Sequence, residues 1–155
     1  MVFMLLFRYT VKPGRHTLSI QVQPEILAAY QKSLVARENS YSPYSGFKVG
    51  AAVKFKNAEQ VFVGCNVENA SYGATICAER NAIWNGVATI GKQDMEYLIV
   101  VADQEDPVPP CALCLQVISE FYDPEMPIYL GNLDGLKKKY LLKEILPVPF
   151  NSFDV

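Results

Sequence analysis

Glu96–Asp103 reads EYLIVVAD. Between its acidic ends the run is apolar throughout, and Ile99, Val100 and Val101 are β-branched. Such a strand offers no face to water, so it reads as buried on both sides. A sheet with both faces buried needs a covering layer on each side. Three segments have the pattern to supply those layers. Pro24 to about Asn39 is helical, with proline suited to the first helical position and Ile26, Leu27, Tyr30, Leu34 and Val35 able to share a face. Ala74 to about Ile90 is a second helix, ended by Gly91, and Cys111 to about Tyr122 is a third, entered through Pro110.

The rest supplies strands. FKVGAAVKFK (47–56) and VFVGCNVE (61–68) form a hairpin around NAEQ (57–60). MPIYLGN (126–132) is a further short strand, and SPYSG (42–46) and QEDPVPP (104–110) are loops. Strands alternating with helices predict an α/β fold: a three-layer α/β/α sandwich around a mixed, roughly five-stranded sheet. Residues 24–155 read as one domain. Residues 1–23 read as an N-terminal arm with no assigned chemistry. The alternation of Leu18, Ile20 and Val22 there suits an edge strand, and a loosely attached arm fits as well. The tail from Leu136 reads as a short helix or turn leading to an extended end.

Composition excludes some functions. The chain has 155 residues, with 14 Lys and Arg against 16 Asp and Glu, so the formal charge is −2. There is no basic footprint for a nucleic-acid partner. The apolar run Val2–Phe7 is too short to span a bilayer, and no positive charge precedes it as in a signal peptide. The expectation is a cytoplasmic protein without a membrane partner. Its cysteines are then thiols or metal ligands rather than disulfides. His16, the one histidine, reads as a solvated residue of the arm.

The cysteines raise a sharper question. Cys111 and Cys114 in PCALC are three apart, which puts both thiols on one face of a helical turn at a familiar zinc spacing. They also suit a helix that simply buries small apolar side chains. Cys77 changes the balance, because it too stands at a helix start, where partial positive charge favours thiolate. Glu79 lies two residues on. Residues two apart within a helix do not face the same way, so Cys77 and Glu79 share a site only if Cys77 sits at the very first turn. Three thiolates leave a metal position open to water, whereas a fourth closes the site as a structural one. Cys65 alternates with Val61 and Val63 and reads as core.

Taken together, SPYSGFKVGAAV (42–53), GCNVENASYGATICAERNAI (64–83), PCALCLQVISEF (110–121) and ILPVPF (145–150) resemble the signature segments of the short, zinc-dependent cytidine deaminases. The P-C-x-x-C pattern with a non-ligand glutamate is an established mark of zinc deaminases. The resemblance runs from about Ala36 to Phe150. It implies a cytidine deaminase-like fold, with zinc held by Cys77, Cys111 and Cys114 and Glu79 as the proton carrier. Activated water would attack C4 of cytosine, turning cytidine, and deoxycytidine with it, into the uracil nucleoside and ammonia in pyrimidine salvage. Asn66 and Glu68 would grip sugar hydroxyls, and two residues apart on a strand they point to one side. Phe47 would pack on the pyrimidine, and backbone groups around Ala78 would read the base edge. Phe150 would reach the site of a neighbouring subunit in a homotetramer. Arg80 and Tyr72 would support the site.

Two features depart from the family pattern. Leu115 follows the last cysteine where the family usually has arginine, which leaves Arg80 without its usual companion beside three thiolates. The arm is also longer than the family needs. Other readings are a deaminase of a related nucleoside, of the nucleoside-antibiotic type, and a zinc-stapled binding module with Cys65 on the metal.

Overall fold

The computed structural model describes residues 20–121 and 123–150. Its centre is the strand predicted at the outset. Five strands, β1 (Val49–Phe55), β2 (Val61–Cys65), β3 (Met95–Ala102), β4 (Pro127–Asn132) and β5 (Gly135–Leu141), form one sheet in the order β2-β1-β3-β4-β5. β3 is the middle strand, and Leu98, Ile99 and Val101 are fully buried. It runs antiparallel to β1 and parallel to β4, so the sheet is mixed. The predicted hairpin is present, with Gly50 opposite Cys65 in the antiparallel β1–β2 ladder.

Alternate β3 residues face opposite cores. Leu98 and Val100 join Val53, Phe55, Ile83, Ile118 and Leu130 on one side. Tyr97, Ile99 and Val101 join Tyr30, Leu34 and Tyr129 on the other. The second core lies under α1 (Pro24–Glu38), the first under α2 (Ala78–Ile90), α3 (Ala112–Ser119) and α4 (Leu142–Ile145). These are the three layers expected. The stripe that α1 buries is narrower than its sequence suggested. Ile26, Tyr30 and Leu34 are buried with Ala29, Ser33 and Arg37 at i, i+3, i+4 spacing, while Leu27 and Val35 are exposed.

Two element assignments need correction. The fifth strand is β5, where the sequence suggested an irregular tail. It is an outer strand, antiparallel to β4, and its Lys137–Lys138–Lys139 run masks the alternation. Lysines on an outer strand discourage pairing with another sheet. Of the arm only residues 20–23 are described, and they are not part of a strand there. Ile20 and Val22 pack on the α1-side core, and the Ile20 amide donates to Leu136 O at 2.8 Å. Leu18 and His16 lie outside the described residues. α2 begins at Ala78 rather than Ala74, because Ile76 and Val67 exchange two backbone hydrogen bonds of 3.0 and 3.1 Å that hold this stretch extended. Only a single 3₁₀ turn (Tyr72–Ala74) precedes it. Among the described residues no helix is long and apolar enough to cross a membrane.

Candidate active site and metal centre

The late start of α2 settles the question posed by Cys77 and Glu79. Cys77 is the N-cap of α2, and Cys111 is the N-cap of α3, both with extended backbone. A cap residue stands outside the helical repeat, so its side chain can turn to a point that Glu79, in the first turn, also borders. Cys114 follows one turn into α3 and is buried. The sulfurs of Cys77, Cys111 and Cys114 all lie within 4.8 Å of one another. Gly64 lets α2 come close enough to build this. A Cβ there would fall 2.4 Å from Ala82 N and 2.6 Å from Ala78 O, so β2 takes the helix start in only with glycine. Asn81 Nδ2 then ties α2 to Cys65 O at 2.9 Å.

The chemistry of the three sulfurs fits a zinc ion. The Cys77 thiol is drawn well below its ordinary range, first by a hydrogen bond from Cys114 and then, against the opposing effect of burial, by Arg80. Cys114 is pushed the other way, first by that same bond and then by burial and neighbouring negative charge. Three thiols this close cannot all ionise by themselves. A dication between them reverses that balance and takes all three as thiolates. Cys65 is not in the cluster. With Val61 and Val63 it lines a groove against α1, half-buried rather than in the core that its alternation predicts, because β2 is an outer strand. The described residues therefore offer three thiols and no fourth, which disfavours a closed structural site.

Glu79 is buried at 4% exposure and stands outside the thiol cluster. Burial first, then the charge of Cys77, raises its carboxyl to about 7. Ala78 is fully buried, and its amide is one of the helix-start donors that no intrahelical carbonyl takes. Arg80 Nη2 donates to Thr75 O at 3.2 Å and lies 3.7 Å from Cys77 Sγ. Its guanidinium sits over the Trp84 ring at 5.8 Å, a contact sequence reading missed although i, i+4 spacing on a helix allows it. Arg80 Nε is buried without a hydrogen-bond partner. Leu115 packs against the α2-side core.

The SPYSG loop faces the segment that follows β2 across a cleft of ≈ 370 Å³, lined by Tyr44, Ser45, Glu68, Tyr72 and Thr75. Tyr72 is 75% exposed and meets Tyr44 edge to face at 5.9 Å. The Glu68 carboxylate accepts from the amides of Tyr44 (2.9 Å) and Ser45 (3.2 Å) and from the Ser45 hydroxyl. That hydroxyl, then the two amides, hold the Glu68 carboxyl below its usual range. Asn66 is buried. Its Oδ1 accepts from Ser40 Oγ (2.6 Å) and Val49 N (2.8 Å), and its Nδ2 donates to Phe47 O (2.8 Å). Phe47 joins neither apolar core and is only half-buried, so it is not a packing residue of the interior. Phe150 does not line the cleft. Its ring is 62% exposed, and its carbonyl accepts from Gln116 Nε2 at 2.8 Å. Ser40, Ser45 and Thr75 were missed as site residues, though Ser45 and Thr75 stand inside the quoted motifs.

Comparison with known proteins gives a consistent answer. The family described as cytidine and deoxycytidylate deaminase zinc-binding region matches residues 25–130. A cytidine deaminase of Halalkalibacterium halodurans is 43% identical over 125 residues, covering 81% of this chain and 93% of the relative. One from Sporosarcina psychrophila is 44% identical, covering 80% and 90%. The crystal structure of cytidine deaminase from Burkholderia pseudomallei superposes with a TM-score of 0.73 at 38% identity, covering 80% of this chain and 98% of that one.

Proposed function

The chain belongs to the cytidine and deoxycytidylate deaminase family, and on that footing we propose that it hydrolyses cytidine and deoxycytidine to uridine and deoxyuridine plus ammonia. The observation that carries the reading is a buried Glu79 beside three thiols gathered at two helix starts. Cys77, Cys111 and Cys114 would hold zinc, which when bound supplies Lewis-acid activation of water. Glu79 would take a proton as the water adds at C4 and give it to N3 of the ring. It would then pass the second proton to the exocyclic nitrogen, which leaves as ammonia. Backbone donors around Ala78 would orient the base edge, and Phe47 would pack on its face. Asn66 and Glu68 would meet the sugar, Tyr72 would flank the cleft, and Arg80 would offset the thiolate charge.

In this reading residues 24–155 are the catalytic domain and residues 1–23 an arm without assigned chemistry. A homotetramer is part of the proposal, and the exposed ring of Phe150 supports it, since an apolar side chain on the surface gains from a neighbour. A cytoplasmic place in pyrimidine salvage suits thiols that must stay reduced. The test is ammonia release from a panel of nucleosides by the zinc-loaded protein. Release from cytidine supports the proposal. A panel on which only a modified nucleoside reacts would replace it with the related-nucleoside reading.

A further inference from the structure

The hydrogen bonds around Phe47 form a chain that runs from Asn66 to Glu68. The Phe47 amide donates to Ser45 Oγ at 2.9 Å, and the Ser45 hydroxyl donates to Glu68 Oε1. On the other side, the Phe47 carbonyl accepts from Asn66 Nδ2 at 2.8 Å. Both backbone groups of one aromatic residue are therefore held by the pair matched to the sugar, Asn66 directly and Glu68 through one hydroxyl. Gly46 makes this possible. Its φ of +66° folds the loop back, so that Ser45 meets the amide two residues on.

Each carboxylate oxygen takes about two donors. Glu68 Oε2 is filled by the Tyr44 and Ser45 amides, while among the described residues Oε1 holds the Ser45 hydroxyl alone. A ligand hydroxyl that donates to Glu68 must share the oxygen that Ser45 uses. It then polarises the same chain that ends at the Phe47 amide.

We propose that Ser45 is a positioning residue that couples Glu68 to Phe47, so that gripping the sugar and seating the base wall are one linked event. This rests on the nucleoside reading above. It explains why the loop serine, although exposed, gives its hydroxyl to the carboxylate. It also gives a physical reason for a nucleoside to outperform its free base beyond added contacts: a base without the sugar leaves the far end of the chain unengaged.

The test is a double-mutant cycle in the zinc-loaded protein with cytidine and free cytosine as substrates. Ser45→Ala removes the link, Ser45→Thr keeps the hydroxyl, and Glu68→Ala removes the far anchor. Ser45→Ala is expected to lower kcat/KM for cytidine about tenfold, mostly through KM, on the scale of one hydrogen bond to a charged group. Ser45→Thr should stay within about twofold of wild type on the same scale, and in Ser45→Ala cytosine turnover should fall by a clearly smaller factor than cytidine turnover, since only cytidine engages Glu68. In the Glu68→Ala background the added effect of Ser45→Ala should shrink below about twofold, since the link then leads nowhere. Equal losses from Ser45→Ala in both backgrounds, or an unchanged KM for cytidine, overturn the proposal while leaving the nucleoside reading in place. A wild-type protein inert toward every nucleoside overturns both. Zinc content and melting temperature of each variant guard against a folding defect, and a Ser45→Thr protein that is folded but as impaired as Ser45→Ala also counts against the link.

Discussion

Cys77 Sγ and Cys111 Sγ lie 3.8 Å apart, although 34 residues separate them in the chain. Each sits at the cap of its own helix, so two helix N-termini aim partial positive charge at one point. That arrangement suits thiolates, and an ion held by them would tie α2 to α3, whose direct packing is slight. Zinc is therefore predicted to stabilise the fold as well as to serve catalysis. The purified protein should hold about one zinc per chain, as a three-thiolate site implies. Chelation should abolish turnover and lower the melting temperature. Elemental analysis with calorimetry checks this, and a metal-free protein with full activity and unchanged melting would sink the assignment of the three cysteines.

Glu79 is predicted to act on protons and not on the metal. It is buried, yet it lies outside the thiol cluster. Glu79→Gln preserves shape and hydrogen-bonding capacity but cannot carry a proton. It should keep zinc and the fold while turnover falls by roughly 10²–10⁴-fold. Zinc loss in parallel with activity would instead make Glu79 part of the metal site.

What the sequence disclosed, and what it hid, follows from how local the signals are. EYLIVVAD announced a strand buried on both sides, and β3 is the sheet's centre, because a run with no polar face has few other places to go. The thiol set was legible from spacing and helix-start chemistry. β5 was hidden because three successive lysines cancel the period-2 signal, which on an outer strand facing water carries little apolar contrast. The true start of α2 was hidden for a different reason. Ile76 is held extended by Val67, nine residues back, and helix propensity cannot register a tertiary contact. Ser45 was hidden by its ordinariness, since a serine in a turn needs no partner to be explained.

Phe150 is predicted to work in a neighbour's site. Its backbone is fixed to α3 while its ring stays exposed, so the ring can be removed without disturbing that anchor. Phe150→Ala should retain zinc but lose about tenfold or more in kcat/KM, the scale of removing a well-buried aromatic contact. Subunit mixing gives a more decisive measurement. When Phe150→Ala and Glu79→Gln proteins exchange subunits, some sites combine an intact Glu79 with a neighbour's intact Phe150. Activity should then rise above the sum of the separate proteins. No rise after demonstrated exchange would return Phe150 to its own chain.

Arg80 is predicted to carry the charge compensation that Leu115 does not. Its guanidinium lies 3.7 Å from Cys77 Sγ, is fastened to Thr75 O, and is backed by the Trp84 ring. Leu115, immediately after Cys114, packs against the α2-side core and has no charge to offer the thiolates. A hydrogen bond to a charged group is worth ~1.5–3 kcal/mol, so Arg80→Gln should speed zinc release to a chelator by about tenfold or more. Trp84→Leu should produce a smaller acceleration of about two- to fivefold, as expected for a partly exposed cation–π contact that orients the cation rather than supplying it. Leu115→Arg alone has two opposing effects: it adds positive charge near the sulfurs and removes a packed side chain from the core. In the Arg80→Gln background the charge term should dominate, and zinc retention should partly recover even as the melting temperature falls. Zinc-release rates for wild type, each single variant and the Arg80/Leu115 double variant decide the matter. Strictly additive rates would mean that positions 80 and 115 do not act on the same sulfurs, and Leu115 would then be a packing substitution with no bearing on the metal.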